Sequence, residues 1–228
     1  MEEKVYRGLY RERTHKTHME RDLPWVKDKN QPVDVVFVGD SHFERMLWFD
    51  GESLKSQIPG NAFVAAVGGD RVEHILYRLE SALGLLHTLK KRGHTKRIVY
   101  MAGGNNGLHL TKRPRGKREP EPVVEEPPVN IDRVVQNVRY TLQLIRHYLP
   151  NVDLWVCAIP TDPVRSPDLQ TYNEKLEAMC ARENVKFSWQ INHTTRAQGA
   201  EIWFDHVHLN KLGYERCVLP AVQEFCKV

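Results

Sequence analysis

Hydrophobic and polar positions change period along the chain in a way that predicts strands followed by helices. Five short runs rich in β-branched residues predict strands over residues 33–38, 61–67, 97–102, 152–159 and 185–189. Between them, apolar residues recur every three or four positions, which predicts helices over residues 72–92, 131–149 and 169–179. A strand-then-helix order is typical of an α/β fold with a parallel sheet between two helical layers.

The two ends of the chain are less regular. Residues 1–30 are polar, and we expect them to form a helical or extended arm that packs on the domain and has no part in chemistry. The segment from Asn210 onwards predicts a helix with a kink or a late start at Pro220. The length of 228 residues fits one domain over residues 1–228.

Residues 107–130 interrupt the pattern. Within them, residues 112–129 read KRPRGKREPEPVVEEPPV, with five prolines and five basic residues followed by acidic ones. This composition does not favour a packed element, so we expect a mobile, Pro-rich surface insertion. The alternatives are a lid over the functional site, a docking segment, or a nuclear-import signal in the basic cluster.

Composition and charge exclude several classes of protein. The hydrophobic fraction of 41% and charged fraction of 27% are those of a globular protein rather than a disordered or fibrous one. A net charge of +4 does not demand a nucleic-acid-binding face. The charged N-terminus and the lack of a long apolar run predict a cytoplasmic protein with no membrane span. The cysteines lack metal-ligand spacing and are expected to be reduced packing residues.

Unusual residues collect in the loops that follow the predicted strands. The first three strands run into short glycine-containing loops, Gly39-Asp40-Ser41-His42, Gly68-Gly69-Asp70 and Gly103-Gly104-Asn105-Asn106-Gly107. A fourth segment, WFDHVHLN at residues 203–210, precedes the last predicted helix. Because ligands bind beyond the carboxyl ends of parallel strands, we expect all four segments to meet at one edge of the sheet.

Together these residue types predict acyl transfer to a serine. Ser41 would lie on a strand-to-helix turn, where the helix N-terminus favours the negative charge of the attack. A serine hydroxyl needs an imidazole to take its proton and a carboxylate to orient that imidazole, and His208 and Asp205 could supply them. The amides of Ser41 and Gly69 and the side chain of Asn105 are candidate donors to the tetrahedral oxyanion.

Each block alone also has an ordinary structural interpretation. A Ser or Asp after glycine often caps a helix, and Asn105 and Asn106 tolerate left-handed turn backbone. The Asp-x-x-His pair would then be a solvated loop pair. The occurrence of every block after its own strand favours one shared site instead. His42 and His206 are predicted to be surface or pocket-lining residues, with His206 the nearest rival for the base.

The four blocks, in this order, resemble those of the SGNH hydrolases, also called GDSL-type esterases and lipases. VVFVGDSHFERM is similar to the family's first block, AVGGD to the second, AGGNN to the third and DHVHLN to the last. Within the family, the chain most resembles the catalytic subunits of intracellular platelet-activating-factor acetylhydrolase. That likeness rests on GGDRVEHILYRLE after the second strand and on the doubled Asn105-Asn106.

The resemblance implies a three-layer α/β/α, flavodoxin-like fold with a five-stranded parallel sheet of order 2-1-3-4-5. It implies a serine esterase without metal or cofactor, in which Ser41, His208 and Asp205 form the triad. It also implies that Gly69, Asn105 and the Ser41 amide form the oxyanion hole. The substrate would be a small acylated molecule, and a homodimer is compatible with the likeness.

We therefore expect a serine esterase that removes short acyl groups, above all acetyl. Leu108 and Trp203, expected near the mouth of the site, would favour a short acyl chain. Residues 107–130 form a longer insertion than we expect in these acetylhydrolases, so the choice of substrate stays open. The alternatives are a carbohydrate acetylesterase, an acyltransferase with the same site, and a non-catalytic scaffold that works through the insertion.

Overall fold

The computed structural model describes residues 8–31, 33–47, 54–108, 129–161, 167–205 and 207–228. Within these residues, five strands form one parallel sheet of order β2-β1-β3-β4-β5. The strands are β1 Val35–Gly39, β2 Ala62–Ala66, β3 Arg97–Met101, β4 Asp153–Cys157 and β5 Lys186–Ser188. Sheet order, strand direction and the α/β class are confirmed. The predicted insertion lies largely in residues 109–128, outside the described residues.

Helices cover the sheet. In chain order they are α1 Glu12–Thr17, α2 Leu23–Lys27, α3 Ser41–Glu44, α4 Val72–Glu80, α5 Leu85–Arg92, α6 Ile131–Tyr148, α7 Pro167–Arg182, α8 Gln190–Gln198, α9 Lys211–Gly213 and α10 Leu219–Phe225. Wider π turns, His18–Asp22 and Tyr214–Val218, join α1 to α2 and α9 to α10. Pro220 lies in the first turn of α10, directly after the Tyr214–Val218 π turn, so the helical turns begin at Lys211 and change their hydrogen-bonding pattern before the proline rather than starting late.

The predicted helix over residues 72–92 is wrong in one respect, because the structure divides it into α4 and α5. Residues 81–84 form a turn between them, closed by a hydrogen bond from the Gly84 amide to the Ser81 carbonyl. A side chain at Gly84 would clash with the carbonyl oxygen of Leu79, so this tight path requires glycine. The apolar spacing continues across the break between α4 and α5. The sequence pattern therefore could not reveal the break.

Strand register positions the functional loops. Gly39, the last residue of β1, pairs with Ala66 of β2 and with Met101 of β3. The loops that follow β1, β2 and β3 therefore leave the sheet at the same level. All of β1 is buried, as expected for a strand covered by helices on both faces. The four cysteines are buried and form no disulfide.

Candidate active site

Three side chains join the first loop to the C-terminal segment. The Ser41 hydroxyl oxygen lies 2.9 Å from His208 Nε2. His208 Nδ1 in turn lies 2.8 Å from Asp205 Oδ2. An imidazole with Nδ1–H directed at a carboxylate presents an unprotonated Nε2 to the serine. The geometry can therefore move a proton from the hydroxyl to the imidazole.

The Asp205 carboxylate also organises its own loop. Its Oδ1 accepts hydrogen bonds from the backbone amides of Val207 and His208, each at 2.7 Å. Burial alone would raise the pKa of Asp205, but the hydrogen bonds from the His208 side chain and from the two amides lower it to about 2. The carboxylate is thus ionised throughout the neutral range and holds the imidazole in one orientation.

The segment that carries His208 is tied to the rest of the domain at both ends. An isolated antiparallel bridge joins Trp203 to Leu209. The Asn210 side chain caps the start of α9 by accepting a hydrogen bond from the Gly213 amide. The Tyr214 hydroxyl then donates to the backbone carbonyl of His42, 3.0 Å away, in the loop that carries Ser41. These contacts help to hold the His208 segment at a fixed distance from the loop that carries Ser41.

Asp40 prepares the Ser41 turn. Its carboxylate accepts a hydrogen bond from the His42 amide at 3.1 Å and so caps α3. Burial, with a smaller contribution from the neighbouring acidic groups of Asp70 and Glu44, raises the pKa of Asp40 to about 7. Ser41 therefore begins a short, capped helix. It lies next to a carboxyl group whose pKa burial moves close to neutral pH.

The second loop is built around two glycines. Gly69 adopts a positive φ of 77°, a left-handed conformation that side chains rarely adopt. The Gly68 amide donates to Glu44 Oε2 at 2.8 Å, and the Gly68 carbonyl accepts hydrogen bonds from Arg11 and Arg13. The loop is thus held from one side by α3 and from the other by the N-terminal arm.

The third loop supplies two asparagines with different contacts. The Asn105 side-chain NH₂ donates to the Asp70 carbonyl at 3.0 Å and to Asp40 Oδ2 at 3.3 Å. Asn106 accepts a hydrogen bond from the Val72 amide at the start of α4. Asn105 therefore bridges the first and second loops, and Asn106 fixes the third loop to α4.

Beneath the loops lies a buried charge network that sequence reasoning missed. Arg78 is fully buried and contacts the carboxylates of Asp22 and Asp70 together with the carbonyls of Gly39 and Ala65. Burial would raise the pKa of Asp22, but His18, Arg21 and Arg78 lower it below its ordinary value. The available signal was an arginine on the apolar face of α4, since isolated buried charges are costly.

The remaining predicted residues have mixed outcomes. His42 is 2% exposed, so it is not a surface residue, and its ring lies 5.8 Å from that of His208. His206 lies outside the described residues. Leu108, expected near the mouth of the site, is fully buried and belongs to the hydrophobic core. Trp203 is partly buried against the same core.

Over the described ranges of the chain, no cluster of three or more His, Cys, Asp or Glu side chains has a metal-binding arrangement. Over those same ranges, no helix is long and apolar enough to cross a bilayer.

Several solved structures share this fold. A Streptococcus pneumonia protein with the provisional name platelet activating factor is 15% identical, with a TM-score of 0.62, covering 93% of this chain and 91% of its own. A provisional acylhydrolase from Bacteroides fragilis is 16% identical, with a TM-score of 0.61 and coverages of 90% and 96%. A catalytic mutant of an acetylxylan esterase from Geobacillus stearothermophilus is 15% identical, with a TM-score of 0.59 and coverages of 87% and 96%.

Identities this low show the fold alone. A search of curated protein sequences gives no match. The sequence profile of the GDSL-like Lipase/Acylhydrolase family, however, matches residues 37–216, well over half of the chain. The match runs from β1 to the turn before α10 and so includes all four loop segments. The chain therefore belongs to the GDSL-like lipase/acylhydrolase family of ester-hydrolysing enzymes.

Proposed function

We propose that the protein is a serine esterase that hydrolyses short-chain, acetyl-type esters through Ser41, His208 and Asp205. The observation that carries the proposal is the continuous hydrogen-bonded chain from the Ser41 hydroxyl through both ring nitrogens of His208 to the Asp205 carboxylate. Such a chain activates a hydroxyl that is a poor nucleophile by itself.

In the first half of the reaction, Ser41 Oγ attacks the ester carbonyl carbon while His208 Nε2 takes the hydroxyl proton. The tetrahedral intermediate then collapses, and the leaving alcohol receives that proton from the imidazolium. In the second half, water attacks the acyl-serine ester and gives a proton to Nε2, and the serine oxygen takes it back as the carboxylic acid leaves. Asp205 stabilises the imidazolium in both halves.

Three donors are proposed for the oxyanion, namely the amides of Ser41 and Gly69 and the side chain of Asn105. The left-handed backbone of Gly69 and the helix N-terminus at Ser41 support the first two. The longer of the two Asn105 hydrogen bonds, 3.3 Å to Asp40, is the one that a developing oxyanion would replace. The shorter one, to Asp70, would keep the amide in place.

The acyl preference rests on resemblance rather than on a described pocket. The likeness to the platelet-activating-factor acetylhydrolases favours acetyl esters, and the acetylxylan esterase neighbour shares the fold. Acetylated sugars and acetyl phospholipids should be compared as substrates, because a carbohydrate acetylesterase would show the higher kcat/KM on the sugars. An alcohol acceptor added to the same assay would reveal acyl transfer in place of hydrolysis.

The first prediction tests the nucleophile. Ser41→Ala should lower kcat for p-nitrophenyl acetate by about 10⁴- to 10⁶-fold, because it removes the hydroxyl that is hydrogen-bonded to His208 Nε2. An organophosphonate probe followed by mass spectrometry should label Ser41 in the unaltered protein. Ser81→Ala, which removes a hydroxyl in the α4–α5 turn, is the matched control and should keep full activity. Equal turnover by Ser41→Ala and the unaltered protein would remove the proposal.

A further inference from the structure

We infer that Arg11 and Arg13, on the N-terminal arm, are positioning residues for the oxyanion hole. This inference rests on the proposed function, because it concerns the peptide group whose N–H is the proposed Gly69 donor. The arm was expected to have no part in chemistry. Its two guanidinium groups instead contact the loop that the mechanism needs most closely aligned.

Both arginines hold the same backbone atom. Arg11 Nη1 donates to the Gly68 carbonyl oxygen at 3.0 Å, and Arg13 Nη1 donates to it at 3.1 Å. That carbonyl and the Gly69 N–H belong to one trans peptide group, so they point in opposite directions within one plane. Fixing the carbonyl toward the arm therefore fixes the Gly69 N–H away from it.

The neighbouring groups prevent the peptide from turning. The Gly68 amide is held by Glu44 Oε2, and Glu44 is itself paired with Arg13 at 3.0 Å. Arg11 also contacts Asp70 Oδ1, at 3.3 Å. A Cβ placed on Gly69 would lie 2.9 Å from the Arg11 guanidinium, so the space beside the loop is already filled. The two arginines thus enclose the peptide on one side.

Charge strengthens the effect. Hydrogen bonds from a guanidinium are stronger than those between neutral groups. Two of them on one carbonyl oxygen polarise the peptide, which makes its N–H a better donor to a developing negative charge. The arginines thereby contribute to stabilising the oxyanion without contacting the substrate.

The arm has other attachments, so its position does not depend on these two side chains. On either side of the two arginines, the Leu9 amide donates to the Glu73 carbonyl and the Tyr77 hydroxyl lies 2.9 Å from His15 Nδ1. Replacing Arg11 or Arg13 should therefore free the Gly68–Gly69 peptide while the arm stays in place. This makes the test interpretable.

The test compares kcat and KM for p-nitrophenyl acetate in Arg11→Ala, Arg13→Ala and the double variant. We expect kcat to fall about 10-fold in each and about 10²-fold in the double variant, short of the loss caused by deleting an oxyanion donor. KM should change little, because the donor acts on the transition state. Arg11→Lys and Arg13→Lys retain one charged donor and should recover part of the rate.

Arg146→Ala is the matched control. Arg146 also holds two backbone carbonyls, those of Glu183 and Asn184, but beside the start of β5, at the opposite edge of the sheet. The Arg146→Ala variant should lower the melting temperature as much as Arg11→Ala and Arg13→Ala do, and it should leave kcat unchanged. An equal fall of kcat in Arg146→Ala, or full kcat in both Arg11→Ala and Arg13→Ala, would overturn the inference. If Ser41→Ala also kept full activity, the proposed function would be what had failed.

Discussion

The two halves of the candidate site are held in different ways. On the nucleophile side, Asp40, Asp70 and Arg78 are buried, and their contacts join β1 and β2 to the N-terminal arm. On the base side, Asp205 and His208 keep side-chain exposures of 35% and 22%, and Phe204 beside them is 59% exposed. The described residues between Trp203 and Leu209 form neither a helix nor a regular strand.

The difference separates stability from orientation. Buried charges far apart in sequence make the nucleophile loop part of the folded core, so damage there should be felt as lost stability. The base segment orders itself through the short-range hydrogen bonds of one carboxylate. Damage there should be felt as lost activity in a protein that still folds.

Among the variants that compare the surroundings of the two halves, the largest expected effect comes from the base side. Asp205→Asn keeps an oxygen for the amides of Val207 and His208 but directs an NH₂ group at His208 Nδ1. The imidazole must then carry its proton on Nε2, where it cannot accept the proton of Ser41. We expect kcat to fall on the order of 10⁴-fold, the typical cost of this replacement in a triad, with little change in melting temperature.

The control for Asp205→Asn lies at the amino ends of the central strands, where Asp153 begins β4. Asp153 is also a partly exposed carboxylate, paired with Arg97 and Lys186 at the start of β4. Asp153→Asn should leave kcat unaltered. If both asparagine variants lost activity equally, the comparison between the two halves would fail.

A smaller effect is expected when the buried side is broken. Arg78→Met leaves the Asp22 and Asp70 carboxylates buried beside a neutral side chain, which typically costs about 3–5 kcal/mol of unfolding free energy. Arg216, whose pair with Glu201 is exposed, is the control, and Arg216→Ala should cost about 1 kcal/mol or less. Urea unfolding measures both. Similar losses of unfolding free energy in Arg78→Met and Arg216→Ala would show that burial of the Arg78 ion pairs does not matter.

The third expected effect is a change in the pH dependence of stability. Because the pKa of Asp40 is raised from 3.8 to about 7 in the fold, the folded protein keeps a proton that the unfolded chain loses within this window. Stability should therefore decline as pH rises from about 4 to 7, and Asp40→Asn should remove that decline. Asp34→Asn, just before β1, should keep it. The check is the unfolding free energy of each protein measured from about pH 4 to pH 7. It should fall with pH in the unaltered protein and in Asp34→Asn, and stay flat in Asp40→Asn.

The sheet could be predicted because its strands are short apolar runs with clear ends. The helix α8 was not predicted, since its buried face consists of Ile191, Asn192 and Thr195 rather than an apolar stripe. Asn192 faces inward because its side chain donates to the Ile159 carbonyl. Polar packing of this kind leaves no periodic signal, and neither does a break such as that between α4 and α5.

The candidate site was partly predictable for a related reason. Ser41, Asp205 and His208 stand out because each follows a strand or lies in a short polar motif, and topology brings them together. Arg11 and Arg13 do not stand out, because in the sequence they are two charged residues in a polar segment. Only the folded path of the arm places them against Gly68, more than fifty residues further along the chain.

The Ser41 hydroxyl and its imidazole are 167 positions apart, which has a consequence for biosynthesis. While the ribosome is still elongating the chain, the emerged portion contains the hydroxyl but not the ring that would deprotonate it. A truncated translation product that ends before the DHVHLN segment would be equally inert. If the proposed mechanism holds, reactivity begins only once the DHVHLN segment has been made and folded, so a shorter nascent chain would not be acylated by ester substrates.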